Sequence, residues 1–247
     1  MTEEKKDIKL IALDMDGTLL NNELNVSEHT KEVITEALKK DIHVVLSTGR
    51  WLNSCYPYAE SLELDSYLIT SNGGEIWTID KKLLDQHLLD SEKMEQMWNL
   101  GSGLGASMWM VATKEVYRNS RPEDFHEHQW LKIGFETFEE SMLDELIKEL
   151  SHIEGLELTN SQPMNVEVNP IGVSKAKALN FVCGELGITM NEVMAVGDSL
   201  NDIKMIQEAG VGVAMGNAQA AIKEAADFVT DTNNKDGVAK AIKRFAL

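Results

Sequence analysis

Apolar positions along the chain follow two rhythms, short unbroken runs and helical repeats, and they alternate over both ends of the sequence. Residues 8–14, IKLIALD, form a run of strand formers, as expected for a strand buried on both faces. Ser27 then stands as an N-cap before a helix over residues 28–40, with Val33, Ile34, Ala37 and Leu38 on one face. IHVVLSTGR gives a second strand, a helix follows Arg50, and SYLITSNGG gives a third strand that stops at two glycines. Toward the other end, EVMAVGDSLND reads as strand then loop, IKMIQEAG as a helix, VGVAMGN as a strand and AQAAIKEAAD as a helix. FVTD and a helix over GVAKAIKRF finish the chain. Strands alternating with helices predict an α/β fold with a Rossmann-like, doubly wound parallel sheet, whose ligands bind at the carboxyl ends of the strands.

The middle breaks that alternation. A helical SEKMEQMWNL and a glycine-broken GSGLG precede strand-like ASMWMVA, KIGFET and MNVEVNP, with a helical SMLDELIKEL among them. Residues 86–167 are expected to form an inserted α+β cap domain, and residues 1–85 with 168–247 the core. No internal repeat or low-complexity tract interrupts either part.

Composition narrows the function classes. The 41 acidic and 23 basic residues give a formal charge of -18, which opposes nonspecific binding to nucleic acid and to anionic lipid surfaces. Small molecules and metal ions are the expected partners. Cys55 and Cys183 are too few for a disulfide framework and lack CxxC spacing, so both are read as reduced thiols. The opening MTEEKKDIKL has no apolar region of signal-peptide type, and no uncharged apolar run reaches membrane-spanning length. Both features lead to the expectation of a cytoplasmic protein.

Candidate chemistry collects at the predicted strand ends. LDMDGTLL, residues 13–20, places Asp14 and Asp16 one residue apart where a buried strand stops, and such carboxylates repel unless a cation or a proton separates them. The second strand ends in Ser47, Thr48, Gly49 and Arg50, a later one in Asp198 with Asn201 and Asp202 following, and GVSK supplies Lys175 at a helix start. Carboxylates alone suggest a hard cation such as Mg²⁺. A lysine, a hydroxyl and backbone N–H groups add what a phosphate needs, and a carboxylate able to attack it completes the requirements of phosphoryl transfer.

DMDGTLL, STGR, the lysine of GVSK and GDSLND, in this order, resemble the four motifs of the haloacid dehalogenase superfamily. The insert's position resembles the Cof-like phosphatases of subclass IIB. The resemblance implies that Asp14 is the nucleophile and that Asp16 protonates the leaving alcohol and then activates water. It also implies that Mg²⁺ is held by the carboxylates of Asp14 and Asp198 and the main-chain carbonyl of Asp16. Thr48, the Gly49 and Met15 amides, Lys175 and Asn201 would contact the phosphate, with Asp202 acting through its neighbours. Ala176 stands where relatives often have glycine, and the insert is short for the subclass.

The implied activity is Mg²⁺-dependent hydrolysis of a small phosphate monoester through an aspartyl-phosphate. Sugar phosphates, flavin or ribityl phosphates, nucleotides and pyridoxal phosphate are all open as substrates. A phosphomutase and a non-catalytic phospho-ligand sensor are the alternatives. Taken singly, each motif has a plain structural reading: Asp16-Gly17 as a turn pair, Ser174 as an N-cap beside a solvated Lys175, and Arg50, a candidate for steering phosphate, as an ion-pair partner instead. Asn72, Gly73 and Gly74 read as a hairpin turn, His126 and His128 as solvated, and Trp98, Trp109 and Met110 as core. Arg118 and Arg121 are candidate substrate contacts from the insert, with a solvated loop as the alternative.

Overall fold

The computed structural model describes residues 6–247, so the first five residues of the charged opening lie outside the described part. The chain divides into two compact units, Asp85–Val173 and the remainder.

The first unit runs β1 (Leu10–Leu13), α1 (Glu28–Leu38), β2 (His43–Ser47), α2 (Leu52–Ser61), β3 (Tyr67–Thr70), β4 (Glu75–Thr78) and β5 (Leu83–Gln86), at which the chain passes into the second unit. The second unit contains α3 (Ser91–Leu104), β6 (Ser107–Ala112), β7 (Val116–Arg118), β8 (Trp130–Glu136), α4 (Glu140–Ser151), β9 (Leu156–Thr159) and β10 (Asn165–Pro170). The chain then returns through α5 (Lys175–Leu186), β11 (Val193–Gly197), α6 (Ile203–Glu208), β12 (Val211–Ala214), α7 (Ala220–Ala225), β13 (Phe228–Val229) and α8 (Gly237–Phe245).

The first sheet has the order β13-β12-β11-β1-β2-β3-β4-β5. It is parallel from β13 through β3, and β4 pairs antiparallel with β3. Alternation along β1 sends Ile11 and Leu13 into one core with Val33, Ile34 and Ala37 of α1 and Ile242 of α8. Leu10 and Ala12 enter the opposite core with Leu179 and Val182 of α5. A sheet covered on both faces needs strands that are apolar throughout, which is why β1 and β11 are buried at every position. Ser27 caps α1 as the sequence predicts, its hydroxyl accepting from the Thr30 amide at 3.1 Å. Cys55 and Cys183 are free and buried, and burial pushes their thiols up to about 12 and about 11.

The second unit is an antiparallel sheet of order β7-β6-β8-β10-β9. Met108, Met110, Ile133, Phe135, Val166 and Val168 of this sheet pack with Met94, Met97 and Trp98 of α3 and with Leu143, Leu146 and Leu150 of α4. The unit extends to Val173, past the expected junction after residue 167, because β10 continues to Pro170 and turns there, with the Val173 amide donating to the Pro170 carbonyl. His128 is half-buried rather than solvated: it packs against the Tyr117 and Trp130 rings, its Nε2 3.1 Å from the Tyr117 hydroxyl.

On the sheet positions that alternate with those apolar residues, the Lys132 ammonium donates to Glu167 Oε2 at 2.6 Å, and each side chain is 4% exposed. Ser161 donates to the other Glu167 oxygen at 2.6 Å. Breaking a buried pair on one side leaves an uncompensated charge. Lys132→Met is therefore expected to destabilise the protein by about 3–5 kcal/mol, and Lys132→Met combined with Glu167→Gln to recover most of that loss. Denaturant unfolding of both variants decides it, and equal losses would show that packing rather than charge sets the cost.

Candidate active site

Parallel strands deliver their carboxyl ends to one edge of the sheet, and the order β11-β1-β2-β3 makes neighbours of four loops distant in sequence. Asp14 follows β1, its amide held by the Val196 carbonyl of β11 at 3.0 Å. The chain then turns at once: the Leu19 amide donates back to the Asp14 carbonyl, and Gly17 takes φ 81°. A Cβ on Gly17 would stand 2.5 Å from Asp198 Oδ2, so glycine is needed for both the backbone angle and the approach of the second carboxylate.

Lys175 is the hub. Its side chain is 0% exposed, and its ammonium donates to Asp14 Oδ1 at 2.6 Å and Asp202 Oδ1 at 2.7 Å. Ser174 caps α5 through the Lys177 amide, as the sequence predicts, but Lys175 is buried rather than solvated. Asp202 Oδ2 accepts from the amides of Asp198 and Ser199 at 2.9 and 3.1 Å. Asp198 in turn accepts from the Thr18 hydroxyl at 3.1 Å and the Ser199 hydroxyl at 3.2 Å. Asp202 thus sits inside the cluster, touching the lysine directly.

Asp16 is oriented differently. Both its carboxylate oxygens accept from the Arg50 guanidinium, at 2.8 Å from Nε and 2.5 Å from a terminal nitrogen, and half of its side chain is exposed. The ion-pair reading of Arg50 is the one realised here, and the Tyr58 ring lies 5.3 Å from the guanidinium carbon. Thr48 is buried, its hydroxyl accepting from the Arg50 amide at 3.1 Å, and Gly49 lies between them in the same loop. The Met15 side chain is fully buried in the core, so only its backbone can serve a ligand. Asn201 lies beside Asn72, its Nδ2 donating to Asn72 Oδ1 at 3.3 Å. Arg118 and Arg121 belong to the second unit, where both are exposed and Arg121 pairs with Glu95.

The Ser71–Asn72–Gly73 turn after β3 carries more than turn chemistry predicts. Three successive residues have left-handed backbone, φ 51°, 61° and 96°, and two of them are not glycine. Each non-glycine residue in that region costs on the order of 1 kcal/mol, and the surroundings must hold it there. The sequence signal was SNGG itself: asparagine tolerates the left-handed region, but its burial at 2% exposure is invisible in one dimension.

Asp14, Asp198 and Asp202 can each offer one carboxylate oxygen within 4.8 Å of the others. Three carboxylates against one ammonium leave two negative charges in a buried site, and the donors are all oxygen. That set fits a hard divalent cation. With both Asp202 oxygens already committed to protein donors, Asp14 and Asp198 are the side chains left to hold it.

Comparison with known proteins agrees with this geometry. The chain matches the haloacid dehalogenase-like hydrolase family over residues 11–132 and 110–242. It is 50% identical to the 5-amino-6-(5-phospho-D-ribitylamino)uracil phosphatase YcsE of Bacillus subtilis, over 99% of this chain and 98% of that one. A solved haloacid dehalogenase-like hydrolase of B. subtilis superposes with a TM-score of 0.89 at 28% identity, covering 97% of this chain and 100% of the other. The subclass IIB sugar phosphatase BT4131 superposes with a TM-score of 0.83 at 26% identity, covering 96% and 98%.

Burial pushes Asp14 well above the usual carboxylate range; the Lys175 charge opposes the shift, while Asp202 and Asp198 add to it. Asp198 is pushed up to about 6, first by burial and then by the charge of Asp202. Burial acts to lower the Lys175 pKa, but the two carboxylates outweigh it and the ammonium is held above its ordinary value. A carboxylate with a raised folded pKa stabilises the fold below its unfolded value and loses that contribution as pH rises through the folded value. The metal-free protein is therefore expected to lose stability between pH 4 and 6. A divalent cation should restore it, raising the thermal midpoint more at pH 8 than at pH 5, where Asp198 carries a proton. Thermal unfolding with and without millimolar Mg²⁺ at both pH values checks this, and Asp198→Asn should abolish the difference.

Proposed function

Since the chain belongs to the haloacid dehalogenase-like hydrolases and is a phosphoric monoester hydrolase acting on small phosphate substrates, we propose that it works through an aspartyl-phosphate on Asp14 with Mg²⁺ as cofactor. The proposed substrate is a ribityl phosphate ester of the kind that names its B. subtilis relative, 5-amino-6-(5-phospho-D-ribitylamino)uracil. The observation that carries the mechanism is Lys175, fully buried and bonded to Asp14 and Asp202, which fixes one Asp14 oxygen and leaves the other without a protein donor among the described residues. Half of all positions shared with that relative support the substrate.

The carboxylates of Asp14 and Asp198 and the carbonyl of Asp16 would hold Mg²⁺, which when bound offsets negative charge as the phosphoryl group is transferred. The Asp14 carboxylate attacks phosphorus and the bond from phosphorus to the alcohol oxygen breaks, the Asp16 carboxyl giving its proton to that oxygen. Asp16, now a carboxylate, takes a proton from water as the water oxygen attacks the aspartyl-phosphate. The phosphorus bond to Asp14 breaks, releasing inorganic phosphate and the free carboxylate. Asp16 must release at least one oxygen from Arg50 to act, because in the paired state both oxygens accept. Lys175, the Thr48 hydroxyl, the Met15 and Gly49 amides and the Asn201 side-chain amide are the proposed donors to the phosphate oxygens. Asp202 holds Lys175 and the 198–199 backbone in place.

Phosphate release from ribitylaminouracil phosphate, flavin mononucleotide, sugar phosphates and nucleotides, with and without Mg²⁺, tests the reading. Mg²⁺-dependent release should be fastest on the ribitylaminouracil ester, and Asp14→Asn should lower kcat by at least about 10³-fold. A fully active Asp14→Asn variant would remove the nucleophile assignment. A preference for hexose phosphates would remove the substrate assignment alone.

A further inference from the structure

Asn201 has a single side-chain hydrogen bond among the described residues. Its Nδ2 donates to Asn72 Oδ1 at 3.3 Å, while its Oδ1 is buried with no partner. The direction of its second N–H, the one left for a ligand, therefore depends on where Asn72 stands.

Asn72 is placed with unusual firmness. Its own amide donates to the Thr48 carbonyl at 2.9 Å, and the amide of Ser71 donates to the Arg50 carbonyl at 2.8 Å, so the turn is tied at two points to the loop that carries Thr48 and Gly49. On its other side, a Cβ at Gly73 would lie 2.5 Å from the Ser174 carbonyl, which packs the turn against the residue that precedes Lys175. One buried turn thus touches the Thr48 loop, the start of α5 and Asn201. An ordinary hairpin turn needs none of these contacts, and a glycine at position 72 would meet the backbone requirement without strain. What glycine would not supply is the acceptor for Asn201.

We infer that Asn72 is a positioning residue for phosphate binding: it aims the Asn201 amide at the phosphate oxygens and seats that amide at a fixed distance from the Thr48 loop. The inference rests on the reading of Asn201 as a phosphate contact. It concerns the direction of a donor, so its signature is weaker binding of the phosphoryl group, in the ground state and in a trigonal-bipyramidal mimic alike, with the fold intact.

The test uses the full chain with Mg²⁺ and measures KM, kcat and inhibition by inorganic phosphate and orthovanadate. Asn72→Gly keeps the left-handed backbone and deletes the amide. It is expected to weaken orthovanadate about tenfold, as Asn201→Ala should, and the double variant should be no worse than Asn201→Ala alone because both changes remove the same Asn201–Asn72 contact. Asn72→Ser, which also shortens the side chain, should repeat the pattern, with thermal midpoints close to that of the parent. Orthovanadate affinity of the parent in either Asn72 variant, or losses that multiply in the double variant, would overturn the inference. If Asn201→Ala itself binds orthovanadate normally while Asp14→Asn is inactive, the phosphate role of Asn201 fails and the inference falls with it, leaving the nucleophile assignment standing.

Discussion

The ammonium of Lys175, buried without access to water, is the constraint around which the rest of the site is arranged. An isolated charge in such a place would cost several kcal/mol, and it is tolerated because Asp14 and Asp202 both accept from it. The dependence runs in both directions, since burial pushes Asp14 above the usual carboxylate range and the lysine charge opposes that shift. Asp202 extends the arrangement by taking the amides of Asp198 and Ser199, so a helix start, the end of β1 and the loop after β11 are held by one set of charge-assisted bonds. Lys175 balances one charge of the three carboxylates, and the other two are the charge that a divalent cation would offset.

Topology explains how residues so far apart come to share that lysine. Thr18 and Asp198 are hydrogen-bonded across 180 positions of sequence because β1 lies beside β11 in a parallel sheet. The carboxyl ends of both strands reach the same edge. β2 flanks β1 on the opposite side and brings Thr48, and β3 lies beyond it with the strained turn at 71–73. A chain whose strands alternated in direction would have scattered these loops over two edges.

Much of this was legible in the sequence, for identifiable physical reasons. Buried parallel strands are apolar throughout, so β1, β2 and β11 stand out as runs, and each run ends abruptly where polar chemistry begins. The Lys175 and Asp198 motifs could be placed at one edge from that pattern alone, and the family match confirms the resemblance drawn from all four motifs. Short strands such as Val116–Arg118 and Leu156–Thr159 gave no such signal, because half-buried antiparallel strands of three or four residues lack a distinctive rhythm. Ion-pair choice was also hidden: Arg50 and Asp16 are 34 residues apart, and only the pairing of β1 with β2 decides that they meet. The Asn72 turn was legible as a turn but not as a buried one, since burial depends on α5 and the Thr48 loop arriving beside it.

The ion pairs of Lys175 and that of Arg50 at this edge differ in a way that suits two kinds of work. Lys175 is fully buried, its pairs with Asp14 and Asp202 are short, and breaking them would leave charges stranded in a medium that cannot solvate them. Arg50 and Asp16 are partly open to solvent, the aspartate half exposed, so water can replace either partner and exchange costs little. A nucleophile has to stay where the phosphorus will be, whereas a group that first gives and then takes a proton has to change partners within one turnover. Placing the proposed nucleophile on the inflexible pair and the proposed acid on the exchangeable one lets a single segment of three residues after β1 hold one carboxylate still and leave the other free to move.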